Sequence, residues 1–222
     1  MSFWVNSLSV GIVLGTPLAY AALGELIAER AGVMNLGVEG MMLMGAVVGF
    51  IVAVNTHSAV AGFAAAAAAG AALAFLHALM TIGLRVNQIV MGLTLTILGA
   101  GLSAYIGTGY SGRRPEVNIS AIPIPGLSSL PVLGKVLFAH DVFAYAVPFL
   151  ALAIWFLLYR TRLGLWLRAA GEQPGAADAS GVPVFLTRYV AVIVGGALAG
   201  LAGAYFSVVY TQCWAEGVTN GR

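Results

Sequence analysis

The sequence predicts an all-α polytopic membrane bundle of about six spans, and three observations carry that expectation. Of 222 residues, 60% are hydrophobic and only 8% charged, with a mean hydropathy of +0.96. So little polar surface cannot cover a water-soluble globule. Apolar runs near the roughly 20 residues needed to cross a bilayer recur along the chain between short polar breaks. The 29 glycines follow no collagen-like or low-complexity period; in a membrane chain they point to close helix packing.

The first span is expected near 6–28. Residues 1–24 carry no charged side chain, no basic n-region precedes the apolar run and no small-residue cleavage site is evident. The segment therefore reads as a retained span and not a removable signal peptide. The next two spans fall near 37–54 and 59–83. Residues 40–84 hold no Asp, Glu, Lys or Arg yet are too long for one crossing, and Asn55-Thr56-His57-Ser58 is the polar break that turns the chain back. Ala64 to Ala69 reads as a close-packing helix face. The last three spans are expected near 88–109, 141–159 and 187–209. Gly11/Gly15, Gly45/Gly49 and Gly196/Gly200, with Gly203 a turn further on, repeat the small-xxx-small spacing that lets backbones approach. Packing within the chain and dimerisation through one face both use it.

Orientation follows from Lys and Arg. Arg160, Arg162, Arg168 and Arg188 mark a cytoplasmic loop, and alternation through the spans puts Arg85 and Arg30 inside as well. Arg113, Arg114, Lys135 and Arg222 fall outside, which implies an external N-terminus. The whole of 1–222 is expected to be one transmembrane domain, with an external loop at 110–140 and a cytoplasmic loop at 160–186. Pro115, Pro123, Pro125 and Pro131 disfavour a long helix in the external loop, so an extended or short-helical cap is expected there.

Several chemistries find no support. No Gly-x-x-x-x-Gly-Lys-Ser/Thr occurs around the sole lysine, Lys135, so no P-loop is present. His57, His77 and His140 make no zinc motif, and the single Cys213 allows neither an intrachain disulfide nor a cysteine cluster. No catalytic residue, metal ligand or cofactor is assigned. The absence of a basic, aromatic-laced stripe leaves nucleic-acid binding unsupported. His77, within an apolar span, lines a path or bonds to a neighbouring helix.

Charge is concentrated instead at Glu25, Glu29, Arg30 and Glu39, with Asn35 between them. An ionisable group at a helix centre in the bilayer costs about 2.5–3.5 kcal/mol. Glu29 and Arg30 suit the inner end of the first span. The Gly32–Gly37 interruption is the kind of irregular backbone tolerated only against protein or a water-filled cavity, and such interruptions mark binding regions in transporters. Asn35, Glu39 and the Asn87-Gln88 pair are therefore candidates for a translocation path. Uncharged amides suit a neutral, hydroxyl-rich solute. In the cytoplasmic loop, Pro174 suits the first turn of a short Ala-rich helix, and Gly181 and Pro183 suit its end. Alone, so short a helix is marginal in water; a partner-docking helix and an ordinary surface loop are both open.

Three stretches resemble one family. GELIAERAGVMNLGVEGMMLMGA (Gly24 to Ala46), RVNQIVMG (Arg85 to Gly92) and LGLWLRAAGEQPGAA (Leu163 to Ala177) are similar, in order, to signatures of bacterial ABC-importer permeases. The subgroup is the simple-sugar/nucleoside type of the branched-chain amino acid and ribose permease superfamily. The resemblance implies a coupling loop that docks into a separate ATP-binding subunit, with Arg168, Gly171, Glu172, Pro174, Ala176, Ala177 and Gly181 in it. It also implies a second, paralogous permease and an extracytoplasmic substrate-binding lipoprotein or periplasmic protein. Nucleoside is the leading substrate and a simple sugar the next, with alternating access in a bacterial inner membrane. Family members continue past the position of Arg222, so the chain reads as the N-terminal part of a longer domain, truncated at its C-terminus. The competing classes are an ion-gradient-driven secondary transporter, with Glu39 as proton carrier, and a membrane-embedded enzyme or scaffold. ATP-independent uptake that collapses with the proton gradient would favour the former; catalytic residues clustered at one interface would favour the latter.

Overall fold

The computed structural model describes residues 3–115, 119–123, 126 and 133–219. Pro125, Pro131 and Arg222 lie outside the described residues. Among the described residues, six helices are long and apolar enough to span a membrane. They are α1 (Phe3–Arg30), α2 (Val38–Thr56), α3 (Ala59–Ala78, prolonged by a π turn at Leu79–Gly83), α4 (Gln88–Gly107), α6 (Val142–Arg160) and α9 (Val184–Ala204, prolonged by a π turn at Tyr205–Tyr210). Between α4 and α6 come a two-residue antiparallel pair, β1 (Ile122–Pro123) and β2 (Ala139–His140), and the short α5 (Leu133–Leu137). Two helices, α7 (Arg162–Glu172) and α8 (Pro174–Ala179), separate α6 from α9.

Local chemistry sets the helix starts. Ser58, Asn87, Asp141 and Thr161 each accept backbone N–H bonds in the first turn of α3, α4, α6 and α7, the ordinary work of an N-cap. His57 at φ 52° closes α2. The α1 C-terminus is a Schellman motif: Gly32 (φ 83°) bonds back to Glu29 O at 2.9 Å and Val33 to Ala28 O at 3.1 Å. The last span begins at Val184, three residues earlier than expected, because Pro183 starts the helix and its carbonyl accepts from Thr187 Oγ1.

Burial separates core helices from peripheral ones: the most apolar stretch of α9 is 67% buried, that of α6 only 11%. Centrally, α2, α3 and α9 meet backbone to backbone. A Cβ on Gly45 would meet the backbone of Gly200, one on Gly70 the Gly196 carbonyl, and one on Gly200 the Ala66 carbonyl. Around this crossing lie Met41, Met42, Ala74 and Phe206. Gly11 and Gly15 share the spacing, but a Cβ added at either would meet nothing within 4 Å. Only some of the small-xxx-small pairs are therefore used inside the chain.

At one end of the bundle, Asp141 ties α6 to α9. Its Oδ1 accepts from Phe143 and Ala144 N–H, and its Oδ2 accepts from Tyr205 OH at 2.7 Å. Tyr20, Phe63 and Phe143 pack around this point, with Phe63 stacked on Phe143 at 4.2 Å.

Candidate functional site

Between the turn that closes α1 and the start of α2, residues 34–36 run without helical bonding, so each polar backbone group there needs another partner. Inside a bilayer an unpaired one costs several kcal/mol. Side chains from three helices supply them. Met34 N–H donates to Gln88 Oε1 at 2.8 Å, and Met34 O lies 3.2 Å from His77 Nε2. Because a carbonyl only accepts, Nε2 is the protonated nitrogen of that ring. Asn35 N–H donates to Glu25 Oε1 at 2.8 Å, Leu36 O accepts from Thr96 Oγ1 at 3.1 Å, and Gly37 N–H donates to Asn35 Oδ1 at 3.0 Å. The Asn35 Nδ2 group faces Met41 Sδ at 3.4 Å. The break is thus a pinned strap.

The four residues expected at a path fall around this strap. Asn35 is buried, Gln88 holds Met34, and Asn87 accepts from Ile89 and Val90 N–H at the start of α4. An open cavity of about 490 Å³ lies beside them, lined by Met34, Thr81, Arg85, Asn87 and Gln88 among others. Glu39 sits one turn further on. The adjacent Gly40 packs on Leu95 and Thr96, roughly 10 Å beyond the start of α4 at a rise of about 1.5 Å per residue. Its carboxylate accepts from Thr219 Oγ1 at 3.2 Å. Thr219 gets there because the chain, after the π turn, runs back along α2: Trp214 packs on Val47 and Phe50, and Thr219 is buried beside Glu39.

Replacing Gln88 or His77 by leucine strands one polar group of Met34. Each change is expected to loosen the strap by about 0.5–1.5 kcal/mol, the net worth of an ordinary hydrogen bond. The measurement is the thiol-labelling rate of a cysteine at Leu36, in a Cys213→Ser background. Equal rates with and without the replacements would refute the pinning role.

The second group of expected residues lies on α7 and α8. Helix α7 lies outside the elements the sequence pattern announces most plainly; the Thr161 cap and the Leu163, Trp166, Leu167, Ala170 spacing are the signals that carry it. It buries Leu167 and Ala170, and Arg168 lies over the Tyr159 ring at 5.2 Å. Pro174 opens α8, and a second Schellman motif closes it: Gly181 (φ 82°) bonds to Asp178 O at 2.9 Å and Val182 to Ala177 O at 3.0 Å. Glu172, Pro174, Ala176 and Gly181 are exposed, and only Ala177 of α8 is buried. Gly171 lies against the α1 terminus, where an added Cβ would meet Arg30 O and, at 3.1 Å, Gly32 N. Arg188, from α9, donates to Ala31 O at 3.0 Å and to Ala170 O at 2.7 Å. The strap residues and the loop residues are thus two groups joined at one corner.

The sequence as a whole matches known proteins. The family described as "Branched-chain amino acid transport system / permease component" matches residues 7–221. A putative glucose ABC transporter permease of Haloferax volcanii is 45% identical over 228 residues, covering 100% of this chain and 68% of that protein. A guanosine ABC transporter permease of Bacillus subtilis is 35% identical over 95% of this chain and 70% of its own length. A nucleoside ABC transporter permease of Lactococcus lactis subsp. cremoris is 31% identical over 91% and 68%. No solved structure matches. With six apolar helices of spanning length and a match along nearly its whole length, the chain is a multi-pass membrane protein and belongs to the branched-chain amino acid transport system permease family, as an ABC transporter permease.

Proposed function

We propose that this chain forms the membrane pathway of an importer for a nucleoside or simple sugar, driven by a separate ATP-binding subunit. The observation that carries the coupling is α8: a six-residue helix seated on the bundle by Ala177 alone, its other residues exposed. A helix this short gains stability when a partner receives it. The ATPase takes α8 together with Glu172, and Arg168, Gly171 and Gly181 shape the loop that presents them. Residues 160–186 then face the cytoplasm and 110–140 the outside of a bacterial inner membrane.

The path runs past Asn35, Glu39, Asn87 and Gln88. Relatives named for glucose, guanosine and nucleosides support a neutral, hydroxyl-bearing cargo, and the amides beside the cavity suit hydroxyl groups. A second, paralogous permease completes the membrane part, and a substrate-binding lipoprotein delivers the solute. The test is uptake in vesicles containing the permeases, the ATPase and the binding protein. Glu172→Arg, at an exposed position, is expected to insert normally while uptake per ATP falls about tenfold, within the usual range of coupling between sites. Unchanged uptake per ATP in this variant would sink the coupling assignment, and wild-type uptake without the ATPase would sink the importer reading itself.

A further inference from the structure

We propose that Arg188 is the positioning residue that joins the end of α7, from which the coupling helix α8 extends, to the translocation strap, so that motion received at α8 reaches Asn35 directly. The inference rests on the importer reading above and adds to it the route of transmission.

Arg188 lies on neither α1 nor α7, yet it holds the ends of both. One guanidinium nitrogen donates to Ala31 O, in the turn that closes α1, and another to Ala170 O, in the last turn of α7. Carbonyls at a helix C-terminus lack intrahelical donors and carry the negative end of the helix dipole. A planar cation with several fixed donors satisfies two such ends at once, which an ammonium or an amide cannot reproduce. Contact beneath it is backbone on backbone. Gly32 and Gly171 face each other so closely that a Cβ on Gly32 would lie 3.0 Å from Gly171 Cα and 3.2 Å from the Arg188 Nη2 nitrogen. Beneath the guanidinium no side chain lies between Gly32 and Gly171 to absorb a displacement.

Beyond Gly32 the strap is pinned to α1, α3 and α4 through Glu25, His77, Gln88 and Thr96. A shift of α7 therefore reaches the strap within two or three residues. It need not wait for whole spans to rock.

The experiment uses the complete transporter in vesicles and compares Arg188→Gln, Arg188→Lys and wild type. Arg188→Gln is expected to keep basal ATPase activity within about twofold while uptake per ATP falls at least tenfold, with Arg188→Lys in between, inside the usual range of coupling between sites. A second readout separates transmission from simple support. In a Cys213→Ser background, spin labels at Gln173 and Leu36, both exposed, report how each position responds to ATP. In wild type both respond; in Arg188→Gln the Gln173 label is expected to respond and the Leu36 label to stay still. Wild-type uptake per ATP, or a Leu36 response preserved in Arg188→Gln, overturns the proposal. A wild-type complex lacking ATP-driven uptake would overturn the importer reading instead, so the two failures are told apart.

Discussion

Gly203→Leu is expected to prevent the bundle from assembling. A Cβ at this position would strike the Met42 carbonyl oxygen, and would lie 2.7 Å from the Met42 carbonyl carbon and 2.8 Å from Ala46 N. All three are backbone atoms of α2, so no rotamer change relieves the clash. Ordinary overpacking costs about 1–3 kcal/mol because side chains can move aside. Here α2 and α9 would have to separate, dismantling the crossing they share with α3, and a cost above about 4 kcal/mol follows. The check is the yield of monodisperse protein in mild detergent and its thermal unfolding. Gly15→Leu is the matched control: it has the same chemistry and open space around it, so its stability is expected to stay within about 0.5 kcal/mol of wild type. Equal behaviour of the two variants would show that the close crossing does not hold the bundle together.

Asp141→Ala is expected to be the most damaging change at a polar residue. The carboxylate caps α6 through two N–H bonds, at 2.9 and 3.0 Å, and takes the Tyr205 hydroxyl. Losing a cap costs about 0.5–2 kcal/mol, and leaving a buried hydroxyl unpaired about 1–3 kcal/mol. Together they give about 1.5–5 kcal/mol. The effect should be large for so exposed a helix, since α6 has little burial elsewhere to offset it. Asp141→Asn keeps one oxygen for the cap and turns an amide N–H toward Tyr205, whose oxygen can accept it; most of the stability should be retained, because asparagine caps helices as well as aspartate does. Tyr205→Phe combined with Asp141→Ala should cost less than the sum of the single changes, since they share one bond. Full additivity in detergent unfolding would show that the bond contributes nothing.

The spans are readable because an apolar run of bilayer length is a property of consecutive residues. So are the ends of α1 and α8, where Gly32 and Gly181 supply the left-handed turn that a side chain resists. Helix α7 is harder to see. Its 11 residues mix Arg, Leu and Trp inside a stretch dominated by the Pro/Gly signals around α8, and its apolar side matters only once α6 and α9 are in place. Glycine spacing has the same limit: Gly11/Gly15 and Gly196/Gly200 look alike, but only the second pair meets another backbone. Spacing says where an approach is permitted; which helix arrives is decided by the whole bundle. Around the strap, the interruption is local and visible, whereas His77, Gln88 and Thr96 come to it from 43 to 60 residues away. Arg188 reaches Ala31 across 157 residues, and no short motif announces such a contact.

The bond between Glu39 and Thr219 spans 180 residues of chain, which has a consequence during biosynthesis. Chains grow at about 5–20 residues per second, so Thr219 emerges roughly 10–40 s after Glu39. For that interval the carboxylate is in place at the start of α2 while its hydroxyl donor does not yet exist. The contact of α2 with the C-terminal stretch therefore forms only after translation has passed the sixth span.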